Sequence, residues 1–245
     1  MALKIFLHTF RMIFGNLGQA LKISIGPYMI LMICVFAVLA IVSTTADGTV
    51  GVTPLMGILP LILLPVVLFV TAWVAVSWHR FILLEERAGI LPAWKDRPIW
   101  PYAGRAILLI LIISLAALPL LFIVGLVSAG IPILALPVLA VAFTLLGFVG
   151  LKMGVSLVGT ALGKPMPAGE VWKATDRING DIFGVVVLLV LFNTIPGLIL
   201  TGLSAFVPII GFVLSIALDW LTTMLGISIL TTIYGHVIEN RPLVD

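Results

Sequence analysis

Six apolar stretches, each long enough to cross a bilayer, dominate this chain of 245 residues. A transmembrane helix needs about 20 mostly apolar residues to cross a hydrocarbon core roughly 30 Å thick. The stretches do not alternate apolar and polar residues, as the strands of a membrane β-barrel would. The sequence therefore predicts an all-α integral membrane protein with six transmembrane helices. The predicted spans are approximately residues 23–44, 56–84, 105–128, 131–160, 183–203 and 206–234.

Composition excludes an ordinary soluble domain and argues against a nucleic-acid partner. Apolar residues make up 62% of the chain and charged residues 9%, whereas soluble domains have roughly 25% charged residues. The net charge of +3 could suit nucleic acid, but its distribution favours membrane topology. Lysine and arginine accumulate in cytoplasmic loops, and that bias sets the orientation of a membrane protein. We therefore expect membrane lipids as partners and no nucleic acid.

The basic residues all fall on one side of the predicted six-span topology. The other side holds Asp47 and two uncharged connections, near residues 128–131 and 202–205. This asymmetry predicts that both termini lie in the cytoplasm. The 13 basic positions are Lys4, Arg11, Lys22, Arg80, Arg87, Lys95, Arg97, Arg105, Lys152, Lys164, Lys173, Arg177 and Arg241.

Residues 1–22 have helical periodicity and lack the pattern of a secretory signal, which has a short apolar stretch and a small-residue cleavage site. Polar and basic residues lie on or near the face opposite the apolar one. We predict an amphipathic helix in the cytoplasmic interface. It would serve either as a simple anchor or as an element that senses lipid or a partner. The apolar positions are Phe6, Phe10, Ile13, Phe14, Leu17 and Leu21.

An internal repeat divides the single predicted membrane domain, residues 1–245. Pro60, Pro132 and Pro208 each open a span in a similar context, at intervals of 72 and 76 residues. A proline near a helix start costs little, because its missing N–H would have no partner in the helix. We predict three tandem helical hairpins, each preceded by a cytoplasmic interfacial segment. The repeats cover about residues 1–88, 92–163 and 168–240.

Asp219 is the most conspicuous polar residue, because it is the only ionisable side chain predicted well inside a span. Such residues are candidates for function, since an unpaired carboxylate in a bilayer is costly. Asn193 is predicted at a similar depth across a short turn. The alternative is a structural hydrogen bond that fixes helix pairing. The candidate intramembrane polar cluster consists of Asp219, Asn193, Ser215, Thr222 and Thr223.

A second candidate site lies on the predicted cytoplasmic face, where basic and aromatic residues are interleaved. The pattern is typical of an aromatic belt with positive-inside charge. It would also suit docking of anionic headgroups or of a cytoplasmic partner. The candidate residues are Arg80, Trp94, Lys95, Trp172 and Lys173.

Metal and cofactor sites are not predicted. His8, His79 and His236 fall near the cytoplasmic ends of predicted helices, but no His or Cys pair has ligand spacing. Cys34 is the single cysteine, so no intramolecular disulfide can form. Nucleotide-binding and hydrolase motifs are missing from the sequence. We therefore predict no catalytic, cofactor-binding or metal-binding residue, and no enzyme.

Two segments of the chain resemble parts of a group of bacterial six-span proteins. They are the N-terminal segment from Phe6 to Leu21 and the segment from Pro167 through Trp172 to Thr175. That group is similar to the membrane domain of glycerophosphodiester phosphodiesterases. The resemblance implies a multi-pass protein of the bacterial inner membrane. This chain has no phosphodiesterase domain, so the resemblance implies no catalytic residue.

Three functions remain open at this point. The first is a non-enzymatic inner-membrane protein, acting as an accessory subunit or as an envelope module that binds lipid or a partner. The second is a transporter or channel with its polar site at Asp219 and Asn193. The third is an intramembrane enzyme or a haem carrier. The scarcity of polar residues at depth favours the first, because conducting pathways usually carry several.

Overall fold

The computed structural model describes residues 1–45 and 53–243, with side chains outside 41–60 and 62. Within those ranges the chain forms α-helices, two 3₁₀ turns and no strand. The turns are Pro132–Leu134 and Asp176–Ile178. The helices are α1 (Ala2–Gly15), α2 (Leu17–Thr45), α3 (Thr53–Leu84), α4 (Ile99–Gly130), α5 (Ala135–Ala161), α6 (Ala168–Thr175), α7 (Asn179–Phe206) and α8 (Pro208–Val237).

Six helical segments are long and apolar enough to cross a membrane, which confirms the predicted all-α class and the six spans. They lie in α2, α3, α4, α5, α7 and α8. Asp47, which was expected on the side opposite the basic residues, falls outside the described residues. The predicted orientation of the termini stays a prediction.

The N-terminal helix ends earlier than the predicted residue 22. α1 stops at Gly15, and α2 begins at Leu17, so residues 17–22 form the first turns of the first span. Glycine followed by asparagine has low helix propensity, which accounts for the break. Ile5 and Ile13 of α1 are buried, and α1 packs on α7 and α8. Part of the face expected to contact lipid therefore contacts the protein.

Residues 85–98 contain no helix, so the interfacial segment predicted ahead of the third span is not helical. Pro92 and Pro98 lack the backbone N–H that a helix requires. Glu85 and Asp96 have positive φ angles of 56° and 60°, outside the helical region. This segment, called here the 85–98 loop, is an ordered non-helical connection. α6 does provide a short helix ahead of the fifth span.

Three pairs of consecutive spans pack most extensively. They are α2 with α3, α4 with α5, and α7 with α8. The repeat itself stays a prediction. Pro208 is the first residue of α8, and Pro132 begins the 3₁₀ turn ahead of α5. Pro60, in contrast, lies inside α3, which begins at Thr53.

The two ends of the bundle differ in packing. The charged end contains α1, α6 and the 85–98 loop, and the uncharged end contains the turns 131–134 and 206–208. In α8 most residues from Met224 to Val237 are buried. The buried residues of α5 are likewise concentrated from Leu151 to Ala161. The tightly packed core therefore lies toward the charged end.

Toward the uncharged end, α8 is largely exposed. In α8 the large side chains of residues 209, 210 and 212–214 are exposed. Successive residues of an α-helix point about 100° apart, so these positions leave only the side of Gly211 covered. A Cβ at Gly211 would lie 2.1 Å from Ser204 Oγ of α7. Residues 209–214 of α8 thus pack on α7 alone.

Candidate functional site

Asp219 lies about 17 Å along α8 from Pro208, at 1.5 Å per residue. Its side chain is exposed. Thr223 and Leu230 share its helix face by spacing, and Leu230 packs beside Gly154 of α5. Asp219 therefore lies on a face that meets α5 nearer the charged end.

The predicted polar cluster forms only in part. Asn193 Nδ2 donates a hydrogen bond to Thr222 Oγ1 at 3.3 Å, which joins α7 to α8. The hydroxyls of Ser215 and Thr223 donate to backbone carbonyls of α8, those of Gly211 and Asp219. Among the described residues, no side chain pairs with the Asp219 carboxylate. The most costly group of the cluster therefore lacks a partner.

Two further contacts link this region to α2, and the sequence did not indicate them. A side-chain hydrogen bond joins Tyr28 to Thr223. Trp220 Nε1 donates to Ser24 Oγ at 2.9 Å. These bonds hold the middle of α8 against the first span. Thr223 lies one turn from Asp219 on the same face of α8, and the Asp219 side chain nevertheless stays exposed.

An apolar cleft opens between α5 and α7 toward the lipid. It has a volume of about 250 Å³. Its walls are almost entirely hydrocarbon, and Thr144, whose hydroxyl donates to the Ala140 carbonyl, is its one polar residue. The cleft is lined by Ala140, Val141, Thr144, Leu145, Phe183, Val187, Val190 and Leu191.

A buried polar layer closes the bundle toward the charged end. Trp78 Nε1 donates to Ser228 Oγ at 2.8 Å, which joins α3 to α8. His79 Nδ1 lies 2.8 Å from Thr231 Oγ1, and its Nε2 lies 3.3 Å from the Tyr102 hydroxyl of α4. All of these groups are buried. The layer therefore ties three spans together.

His79 was expected at the membrane interface, and the structure buries it completely. The sequence shows a histidine near the end of a span. It does not show that Thr231, 152 positions later, supplies a partner. Pairing across such a separation depends on tertiary packing and has no local pattern.

Lys152 is the functional-site candidate that the sequence analysis missed. Its side chain is 1% exposed. Nζ donates to Asp176 Oδ1 at 2.6 Å and to Asn179 Oδ1 at 2.7 Å, and lies 4.1 Å from the centre of the Trp172 ring. A signal was available, because Lys152 falls inside the predicted fourth span and such lysines need a partner.

The candidate cytoplasmic residues do not form one site. Trp94 and Lys95 lie exposed on the 85–98 loop. Trp172 packs on Lys152, and Lys173 is exposed on α6. Arg80 is engaged in an ion-pair cluster of its own, described next.

Arg80, Glu86 and Arg97 form an ion-pair cluster at the charged end. Arg80 donates from Nε and Nη2 to the two Glu86 oxygens, at 3.0 and 2.6 Å. Its Nη1 donates to the Ala161 carbonyl of α5 at 3.1 Å. Arg97 Nη1 donates to Glu86 Oε2. The Arg80 hydrogen bond holds the pKa of Glu86 below its ordinary value, and Arg97 lowers it further.

Among the described residues, no group of three His, Cys, Asp or Glu is placed to hold a metal ion. No family model, curated protein or solved structure matches the chain with significant similarity. The resemblance to the phosphodiesterase membrane domain therefore stays a prediction, and the fold and its sites carry the functional argument.

Proposed function

We propose that this multi-pass membrane protein is a non-enzymatic accessory module that binds another integral membrane protein within the bilayer. The observation that carries the proposal is the exposed, unpaired Asp219 in the open half of the bundle. A carboxylate at this depth is costly unless it is paired, protonated or in contact with water. A transmembrane helix of a partner, with a basic or hydrogen-bond-donating side chain opposite Asp219, would supply the missing contact.

The packing asymmetry supports the same proposal. The charged half is self-sufficient, with a buried core and cross-helix hydrogen bonds such as Trp78 to Ser228. At the uncharged end, residues 209–214 of α8 are covered by α7 alone. Contacts between helices in membranes depend on close packing and on polar side chains that meet across the interface. A partner helix would provide both beside Asp219.

Native mass spectrometry after mild extraction from the protein's own membrane tests the proposal. The wild-type protein should carry added mass that matches a second, different polypeptide. Asp219→Leu should lose it, while Ser215→Ala, one turn away on the same face, should keep it. A species with lipid alone, or a complex that survives Asp219→Leu, contradicts the proposal. A complex of two identical chains contradicts it as well.

A second candidate is a transporter or channel, with a specific observation in its favour. Asp219 shares its helix face with Leu230, which packs on α5, so the carboxylate faces the bundle side of α8. The nearby Asn193–Thr222 bond adds polar groups. The apolar walls of the α5–α7 cleft argue against a path for polar solutes. Unchanged solute flux into reconstituted vesicles after Asp219→Asn would remove a coupling role for this residue.

For this chain we propose the bacterial inner membrane as the location, with both termini in the cytoplasm. The support is the concentration of basic residues at one end of the bundle. Cysteine labelling in intact cells tests the orientation. A cysteine at Lys95 should react only after the membrane is permeabilised, and one at Ile131 should react before.

A further inference from the structure

The charged end contains a cavity that the proposed function does not use. It lies between α3 and the 85–98 loop and has a volume of about 190 Å³. Arg80, Arg87 and Arg97 line it, with Glu86 as the single acidic residue. Three guanidinium groups and one carboxylate leave two positive charges. This excess at a concave site favours an anion.

The arginines differ in how far they are already engaged. Arg80 donates to Glu86 from two nitrogens and to the Ala161 carbonyl from the third. Arg97 contacts Glu86 through Nη1 only, so its Nε and Nη2 have donors left for a ligand. Arg87 is exposed, and it also lines a neighbouring groove that contains Glu85. Arg97 and Arg87 are therefore the groups that can bind, and Arg80 holds the cluster in place.

The loop that forms the cavity wall is fixed against the helices. Gln19 Nε2 donates to the Ala88 carbonyl at 2.6 Å, and Trp73 Nε1 donates to the Pro92 carbonyl at 3.2 Å. A Cβ at Gly26 would lie 2.0 Å from the Ile90 carbonyl oxygen, so only glycine permits this approach. The cavity is thus preorganised, which lowers the entropic cost of binding.

Exposed apolar side chains near the cavity in sequence indicate where the anion comes from. Ile90, Leu91 and Trp94 are each 62% exposed on the same loop, and Trp100 follows at 69%. Exposed tryptophans and aliphatic residues beside basic groups are typical of the headgroup region of a bilayer. At this level of a membrane, the phosphate of a lipid is the anion that lies beside apolar side chains.

We propose that the Arg80–Arg87–Arg97 cavity binds the phosphate of an anionic phospholipid from the leaflet at the charged end. The planar fork of Arg97 pairs with two phosphate oxygens, as guanidinium groups do with oxyanions. The exposed apolar residues of the 85–98 loop contact the acyl chains. This site is separate from Asp219, and neither proposal depends on the other.

Native mass spectrometry of the delipidated protein with phosphatidylglycerol tests this inference, with phosphatidylcholine as the zwitterionic comparison. Phosphatidylglycerol should be retained and phosphatidylcholine should not. Arg97→Gln should weaken retention about five-fold, since a basic residue near anionic lipid contributes about 1 kcal/mol. Arg97→Lys keeps the charge and loses the planar fork. Its retention of phosphatidylglycerol should lie between that of wild type and that of Arg97→Gln, which a folding defect at this position would not produce.

The matched control is Lys95→Gln, which removes a basic residue of the same loop that does not line the cavity. It should change retention less than two-fold. An equal loss in Lys95→Gln and Arg97→Gln would mean general surface charge and overturn the site. Displacement of the lipid by millimolar inorganic phosphate would mean a soluble phosphate site and overturn the lipid assignment. Equal retention of both lipids would overturn the inference entirely.

Discussion

Lys152 Nζ lies 2.6 Å from Asp176 Oδ1, and this ion pair joins the fourth span to the segment ahead of the fifth. The pair is asymmetric, because the lysine side chain is 1% exposed and the aspartate side chain 51%. The buried ammonium is further held by Asn179 and by the Trp172 ring. The free-energy cost of burying this ammonium is therefore offset by neighbours from the segment ahead of the fifth span.

This asymmetry predicts that the two partners are not equally tolerant of substitution. Asp176→Asn leaves a buried, poorly compensated cation and should lower the Tm more than Lys152→Met, which removes the buried charge altogether. The double variant should be more stable than Asp176→Asn alone. Thermal unfolding in detergent measures the order, with the exposed Lys173→Met as control. Equal losses for both single variants would contradict the account.

The buried polar layer predicts a loss of stability when one cross-helix partner is removed. Ser228→Ala leaves the Trp78 indole N–H without an acceptor and should lower the free energy of unfolding by about 1 kcal/mol. Ser128→Ala is the matched control, because its hydroxyl bonds only to the Val124 carbonyl of its own helix. If the two alanine variants unfold at the same temperature, Trp78 to Ser228 contributes no net stability.

The lowered pKa of Glu86 predicts that the stability of the protein changes with pH in the acid range. Because the folded-state pKa lies below the ordinary value, chiefly through Arg80, the ionised form is favoured in the folded protein. Its contribution is fully present above the unfolded pKa and is lost as the pH falls through the folded pKa. The Tm difference between wild type and Glu86→Gln should therefore shrink on acidification. Glu85→Gln, an exposed neighbour, should show a smaller change with pH.

Which parts of this protein are readable from sequence follows from the range of the interactions involved. The six spans depend on local composition, and each was identified with its approximate position. The connections depend on single residues such as the prolines that exclude a helix from the 85–98 loop. The partners of Lys152 and His79 lie 24 and 152 positions away. No periodicity in the sequence brings such pairs together.

In the candidate sites, too, the features that depend on local sequence could be predicted and those that depend on tertiary packing could not. Asp219 was identified because a carboxylate in an apolar stretch is conspicuous, and Asn193 was placed near α8, where it bonds Thr222. Exposure of Asp219 could not be predicted, because it depends on which helices pack beside α8 in the folded protein. The arginine cavity could not be predicted either, because it forms only when the 85–98 loop folds. Arg80 and Arg97 are 17 positions apart and both pair with Glu86.

Asp219 itself should be dispensable for folding if its role is to bind a partner. Asp219→Leu removes an unpaired carboxylate from a span, so the Tm of the isolated protein should equal or exceed that of wild type. Thermal unfolding of the purified variant in detergent measures this. Thr222→Val, which breaks the bond to Asn193, is expected to lower the Tm slightly. A clear loss of stability in Asp219→Leu would indicate a structural role for the carboxylate.

Site-specific photocrosslinking in the native membrane tests the central claim most directly. A photoreactive residue replaces Ile216, which is exposed one turn from Asp219 on α8, and in a parallel variant it replaces the exposed Leu121 on α4. We predict an adduct with a different polypeptide at position 216, its loss in combination with Asp219→Leu, and lipid adducts alone at position 121. Lipid adducts alone at both positions, or a polypeptide adduct at 216 that persists in Asp219→Leu, would contradict the account.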